Sequence, residues 1–291
     1  MRKLISFDWA IKRILRNKAN FTILEGFLSE LLYDNITIVE LLESESNQDK
    51  KDDKCNRLDI KVKNHKNELM LIELQYRTEI DFMQRMLYAA SKAIVEHLAQ
   101  GERYSNVKKI ISINILYFDF GDGDDYIYKG STNFIGLHNH APLKLNPVEQ
   151  DLYKTDRIEN IHPEYYLIKV KSFPEVVTDA LDEWMLFLKK EEIPETPHAK
   201  GLKEAAEELE YLKMNAEERK QYESFIETRR YEATMYESTY IRGKNVGIKE
   251  GKEEGIKAGK RQMARSMKAA GYSSKVISDL SGLGTDEIET L

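Results

Sequence analysis

The sequence predicts an α/β fold, a mixed central sheet flanked by helices, with a helical C-terminal extension. Three observations carry that expectation. Strand-like apolar runs alternate with helical periodicity through residue 188, a stretch with prolines at 194 and 197 follows over 189–201, and from Leu202 onward the chain becomes charge-dense helix formers. At 291 residues the chain holds one large domain or two smaller ones and buries a core of ordinary size.

The first elements are helical. FDWAIKRILRN and FTILEGFLSELL carry apolar residues at helical spacing and predict two helices joined near Asn17 to Asn20. ITIVELLE reads as a strand, and ESNQDKKDDKCN as a charged loop. RLDIKVKNHKNELMLIELQYR, residues 57 to 77, reads as two strands around a polar turn at Lys66. TEIDFMQRMLYAASKAIVEHLAQG predicts an amphipathic helix ending at Gly101, KKIISINILYFDF a buried strand, YYLIKV another, and PEVVTDALDEWMLFLKK a helix.

The C-terminal module, 202–291, contains an internal repeat. Glycines 243, 247, 251, 255 and 259 recur every four residues, which on a helix gives a slowly drifting stripe. Each costs roughly 1 kcal/mol relative to alanine in a helix. Two readings stay open: close helix packing for self-association, or a flexible charged linker. The closing GYSSKVISDLSGLGTDEIETL predicts two short helices around a Gly-containing turn. It has half the look of a helix-turn-helix, but with no Arg or Lys beyond Lys275 it is not expected to read DNA.

Charge and cysteine usage exclude several classes. With 44 Lys+Arg against 50 Asp+Glu the formal charge is -6, so a uniformly basic nucleic-acid-binding surface is excluded. Positive charge gathers locally, however, in Arg2, Lys3, Lys12, Arg13, Arg16 and Lys18 against Asp8 alone. Lys12 and Arg16, one turn apart, are candidates for phosphate contact. No apolar run has signal-peptide or membrane-span character, so the expectation is a cytoplasmic protein without membrane association. The single cysteine, Cys55, sits among charges and is read as incidental.

Two carboxylates stand where strands prefer apolar residues. Asp59 interrupts Leu58, Ile60 and Val62, and Glu73 interrupts Leu69 to Leu74. A hairpin centred on Lys66 pairs residues whose numbers sum to 132, which sets Asp59 opposite Glu73 with Cβ atoms about 5 Å apart. Gln75 follows on the same face at the strand period. Like charges so opposed destabilise a sheet unless a cation lies between them, and two close carboxylates suit Mg2+. The alternative is a pair of strand-end acids neutralised by Lys61 or Arg57.

RLDIKV and ELMLIELQYR, with FMQRMLYAASKAI, YSNVKKIISINILYFDF and STNFIGLHNH, resemble the PD-(D/E)XK nuclease-like family of recombination-promoting nucleases and transposases, the Rpn type, over about residues 1 to 185. The glycine repeat with a short helical tail is also usual in such chains. The resemblance implies a restriction-endonuclease-like core and DNA phosphodiester hydrolysis dependent on Mg2+ or Mn2+. Asp59 matches the family's strand aspartate and Glu73 the glutamate of its (D/E)-x-K element. By that likeness Asp59, Glu73 and the backbone carbonyl of Leu74 hold the metal. Gln75 stands where the general pattern has lysine, as is common in the recombination-nuclease branch, and would orient the attacking water. Glu25 matches a place where such folds carry a further acid. Arg85, Tyr88 and Lys92 match an R-x-x-Y-x-x-x-K pattern, for DNA phosphate contact or for charge balance near the acids.

A rival reading, from Gln75 and the acidic balance, is a non-catalytic DNA-binding or assembly protein on the same scaffold. Transposition proper would need end recognition, which nothing in the sequence encodes. DFGDGDDYIYKG has Gly130 where a calcium loop needs a bidentate acid, so a tight hairpin turn is expected. His138 and His140 lack a third ligand nearby and are read as structural.

Overall fold

Asn64 closes the central hairpin: its Oδ1 accepts from the amides of Lys66 at 3.0 Å and Glu68 at 2.9 Å, and Asn67 adopts the left-handed backbone such turns require. This is seen in a computed structural model that describes residues 6, 7, 9, 21–42, 57–76, 78–210 and 214–291, with 57–59 described by backbone alone. The hairpin joins β2 (Arg57–Asn64) to β3 (Leu69–Gln75). Its register has Asp59 opposite Glu73, as the sum rule requires.

Around it runs a six-stranded mixed sheet. The other strands are β1 (Ile38–Leu42), β4 (Ile110–Leu116), β5 (Ile127–Gly130) and β6 (Glu164–Lys169), in the order β1-β2-β3-β4-β6-β5. β3 to β4 and β4 to β6 are parallel, the remaining pairs antiparallel. The expected mixed sheet is therefore present. The hairpin expected over Asp119–Gly130 is not: β5 pairs with β6, and the loop between β4 and β5 passes the position that β6 fills.

A parallel β3–β4 pair needs a crossover, and α2 supplies it after α1 (Thr22–Leu32) in chain order. α2 spans Phe82–Glu96 and buries Phe82, Met86, Ala90 and Ala93, one stripe at helical spacing. Its first turn packs with Leu116 and Phe118, its last with Leu69 and Ile110, so it lies along the sheet face that carries Glu73. It stops at Glu96, five residues before Gly101, because His97 and the following turn leave helical geometry.

The opposite face is covered by α4 (Ala180–Lys190); α3 (Pro147–Tyr153) precedes it in the chain. Tyr117, which faces that side, donates to the Leu188 carbonyl at 3.3 Å. Phe7, Phe27, Trp184 and Phe187 meet there edge to face or tilted, with centroids 5.3 to 6.1 Å apart. Where PEVVTDALDEWMLFLKK was expected to be helical throughout, α4 begins only at Ala180, because Asp179 caps it by accepting from the Asp182 amide.

The chain divides into two compact units, Met1–Asn215 and Ala216–Leu291, later than the 188/202 division expected from composition. The reason is burial in the stretch expected to be a linker. Glu183 accepts from the amides of His198 at 2.8 Å and Ala199 at 2.9 Å, and α5 (Leu202–Glu208) buries Leu202 and Ala205. Gly26 of α1 meets Gly201 so closely that a Cβ there would lie 2.2 Å from the Lys200 carbonyl oxygen.

In the second unit, α6 (Ala216–Ala269) is one helix of 54 residues, about 80 Å long at 1.5 Å per residue. It runs unbroken through all five repeat glycines, so the linker alternative does not describe this segment. After a turn at Gly271, α7 (Ser274–Ser281) and α8 (Thr285–Glu289) fold back, burying Ile277, Leu283 and Ile288 against Ala264.

Candidate metal and nucleic-acid site

β3 is buried on both faces, which is why its sequence is almost continuously apolar. Glu73 and Gln75 break that pattern, and they are only 8% and 1% exposed. Buried polar groups at adjacent same-face positions demand partners. β2 sets Asp59 opposite Glu73, and β4 sets Asn114 beside it, so three polar residues form one row across three strands. Asn114 is braced by its Nδ2, which donates to Ser112 Oγ at 3.0 Å and to the Tyr166 carbonyl at 3.2 Å.

The first turn of α2 brings Arg85 over this row. Its Nη2 lies 2.8 Å from Glu73 Oε1, while Nη1 donates to both oxygens of Glu79 at 3.0 and 3.1 Å. Glu79 also accepts from Gln75 Nε2 at 3.0 Å. The result is a chain of contacts, Glu73–Arg85–Glu79–Gln75, in which one guanidinium is shared between two carboxylates. Lys61, an expected partner of the strand acids, instead reaches Glu96 at the far end of α2, 2.5 Å away.

Three further expected site residues lie on α1 and α2. Tyr88 is largely exposed on α2, Lys92 lies 3.7 Å from Glu96 one turn on, and Arg85 reaches Glu73. Glu25 accepts from the Ile38 amide at 2.7 Å, which anchors α1 to the start of β1. Lys12, Arg16 and Cys55 lie outside the described residues. His138 and His140 sit exposed in and beside a turn, His140 with a positive φ of 55°.

Among the described residues, no group of three or more His, Cys, Asp or Glu side chains stands together as a metal-holding cluster. A hard divalent ion needs fewer: one or two carboxylates and a carbonyl suffice for Mg2+, which retains several waters. The strand register sets Asp59 opposite Glu73 on the neighbouring strand. Arg85 on one oxygen of Glu73 does not preclude a bound ion, since a carboxylate offers about four lone-pair sites. Carboxylate and carbonyl oxygens would suit Mg2+ or Mn2+ and disfavour thiophilic metals.

Glu79 and Asn114 escaped the sequence reading. Glu79 lies in a polar turn where an acid is unremarked, and Asn114 inside a run dominated by isoleucine; only the misfit of a buried amide in IISINIL could have marked the latter.

A family model described as PD-(D/E)XK nuclease family transposase matches residues 5–238. No curated protein and no solved structure matches the chain. No described helix is long and apolar enough to cross a membrane.

Proposed function

Because this chain belongs to the PD-(D/E)XK nuclease family transposases, we propose that it is a metal-dependent DNA endonuclease built on a restriction-endonuclease-like core, hydrolysing phosphodiester bonds in DNA recombination or mobile-element activity in the cytoplasm. The observation that carries this reading is the register of Asp59 opposite Glu73, with Gln75 one same-face position further on. Asp59, Glu73 and the Leu74 carbonyl would hold Mg2+ or Mn2+. When bound there, the ion supplies polarisation of the scissile phosphate and a lowered pKa for a water.

The chain's own groups do the rest. Gln75 holds a water by hydrogen bonding and positions it; having no titratable group, it cannot take its proton. Arg85 offsets the charge that Glu73 and Glu79 bring into a poorly hydrated place. Lys12, Arg16, Tyr88 and Lys92 are proposed to contact DNA phosphates outside this centre. The region after residue 200 is proposed to self-associate.

Purified protein incubated with supercoiled plasmid and Mg2+ or Mn2+ should nick or linearise it, and folded Asp59→Ala and Glu73→Ala proteins should not. Equal cleavage by all three proteins would move the chemistry elsewhere. One observation favours a second reading, a DNA-binding or assembly protein without catalysis: Glu73 already has a cationic partner in Arg85. Calorimetry with no heat of Mg2+ or Mn2+ binding would support that alternative.

A further inference from the structure

A glutamine in a catalytic position has two unlike ends. Its Oε1 accepts hydrogen bonds and its Nε2 donates two, so the orientation of the amide decides whether Gln75 accepts a hydrogen bond from water or donates one to a phosphate oxygen. Glu79 settles the orientation. An ionised carboxylate accepts only, so the Gln75 atom 3.0 Å from Glu79 Oε1 must be Nε2, and Oε1 is the end turned away from Glu79. Arg85 in turn holds Glu79 through both carboxylate oxygens, in contacts of 3.0 and 3.1 Å. Those contacts fix Glu79 in place.

We propose that Glu79 is a positioning residue: it locks the Gln75 amide so that Oε1, and not Nε2, faces the reacting water. The proposal rests on the nuclease reading above. It gives Gln75 a defined role, accepting a hydrogen bond from the water and aligning a lone pair of that water on phosphorus, where the lysine of the general family pattern could only donate. Arg85 thereby links Glu73 to Glu79, with Nη2 on Glu73 and Nη1 on Glu79.

Three variants of the full chain separate this role from a structural one. Glu79→Gln keeps an acceptor oxygen for Nε2, Glu79→Ala removes it, and Glu79→Lys supplies a donor that favours the reversed amide. Single-turnover plasmid nicking should give a maximal rate near wild type for Glu79→Gln. For Glu79→Ala it should be about ten-fold lower and for Glu79→Lys lower still, with little change in half-saturating DNA concentration, because orientation of a reacting group acts on the rate step. Calorimetry with Mn2+ should show wild-type binding by Glu79→Ala, since Gln75 and Glu79 are not metal ligands.

An active wild type with a Glu79→Ala protein of equal rate overturns the positioning role and leaves the nuclease reading standing. Loss of Mn2+ binding in a folded Glu79→Ala protein also overturns it, by making Glu79 part of the metal centre. A folded wild type that binds Mn2+ yet never cuts DNA overturns the nuclease reading, and this proposal with it.

Discussion

Arg85 Nη2 lies 2.8 Å from Glu73 Oε1, so the most anomalous carboxylate of the central strand meets a guanidinium delivered by the crossover helix. Both side chains are largely withdrawn from water, at 18% and 11% exposure. Removing one partner of such a pair leaves the other charge uncompensated in a poorly hydrated place. Arg85→Ala should therefore lower unfolding free energy by about 2 to 4 kcal/mol, since two carboxylates each lose a cationic partner. Saturating Mn2+ should restore more of that loss in the variant than it adds to wild type, as the ion takes over the neutralising role. Urea unfolding with and without Mn2+ measures both. A variant as stable as wild type would mean the ion pair contributes nothing net.

Glu164 supplies a pH-dependent test remote from this centre. Burial pushes its carboxyl up, but Lys129, Tyr166 and Lys109 all hydrogen-bond to it and bring it down to about 2, from an ordinary 4.5. The contacts are 2.5 Å from Lys129, 2.6 Å from the Tyr166 hydroxyl and 3.1 Å from Lys109. A depressed folded-state pKa means that the folded form binds the proton more weakly than the unfolded form. Its stabilisation is complete above pH 4.5 and is lost as pH falls toward 2. Wild type should lose about 1 to 2 kcal/mol more than Glu164→Gln across that window, after discounting for screening near the surface. Parallel stability curves for the two proteins would contradict this assignment.

The parts of the fold legible in the sequence were those set by local rules. The Asp59–Glu73 register followed from a polar turn at Lys66 and the two-residue strand period, and it holds in the structure. The interposition of β6 between β4 and β5 was hidden, because DFGDGDDYIYKG satisfies the local chemistry of a tight turn while the strand pairing is decided by a segment some forty residues later. The unit boundary was hidden for a similar reason. PETPHAKG has linker composition, yet Glu183 ties its amides down and Gly26 admits Gly201, contacts that only the packed α1 and α4 create. Glu79 became visible only when α2 turned Arg85 back over β3.

Glycines in this chain serve opposite ends, and one substitution distinguishes them. At Gly26 an added Cβ would meet backbone, 2.2 Å from the Lys200 carbonyl oxygen and 2.7 Å from Gly201 Cα, so neither element can yield without moving. Gly26→Ala should destabilise the first unit by about 2 to 3 kcal/mol, the range for overpacking a close contact. At 243, 247, 251, 255 and 259 an added Cβ meets nothing within 4 Å. Each alanine there should therefore stabilise α6 by up to about 1 kcal/mol, read as a higher melting temperature of its circular-dichroism signal. The same five substitutions test the proposed self-association, because a Cβ row keeps two helix backbones from approaching as closely as glycines allow. If the stripe is the contact, the five-alanine protein should be more helical and yet sediment as a smaller species than wild type. Greater helicity with unchanged sedimentation would remove the glycine stripe from any assembly the chain makes.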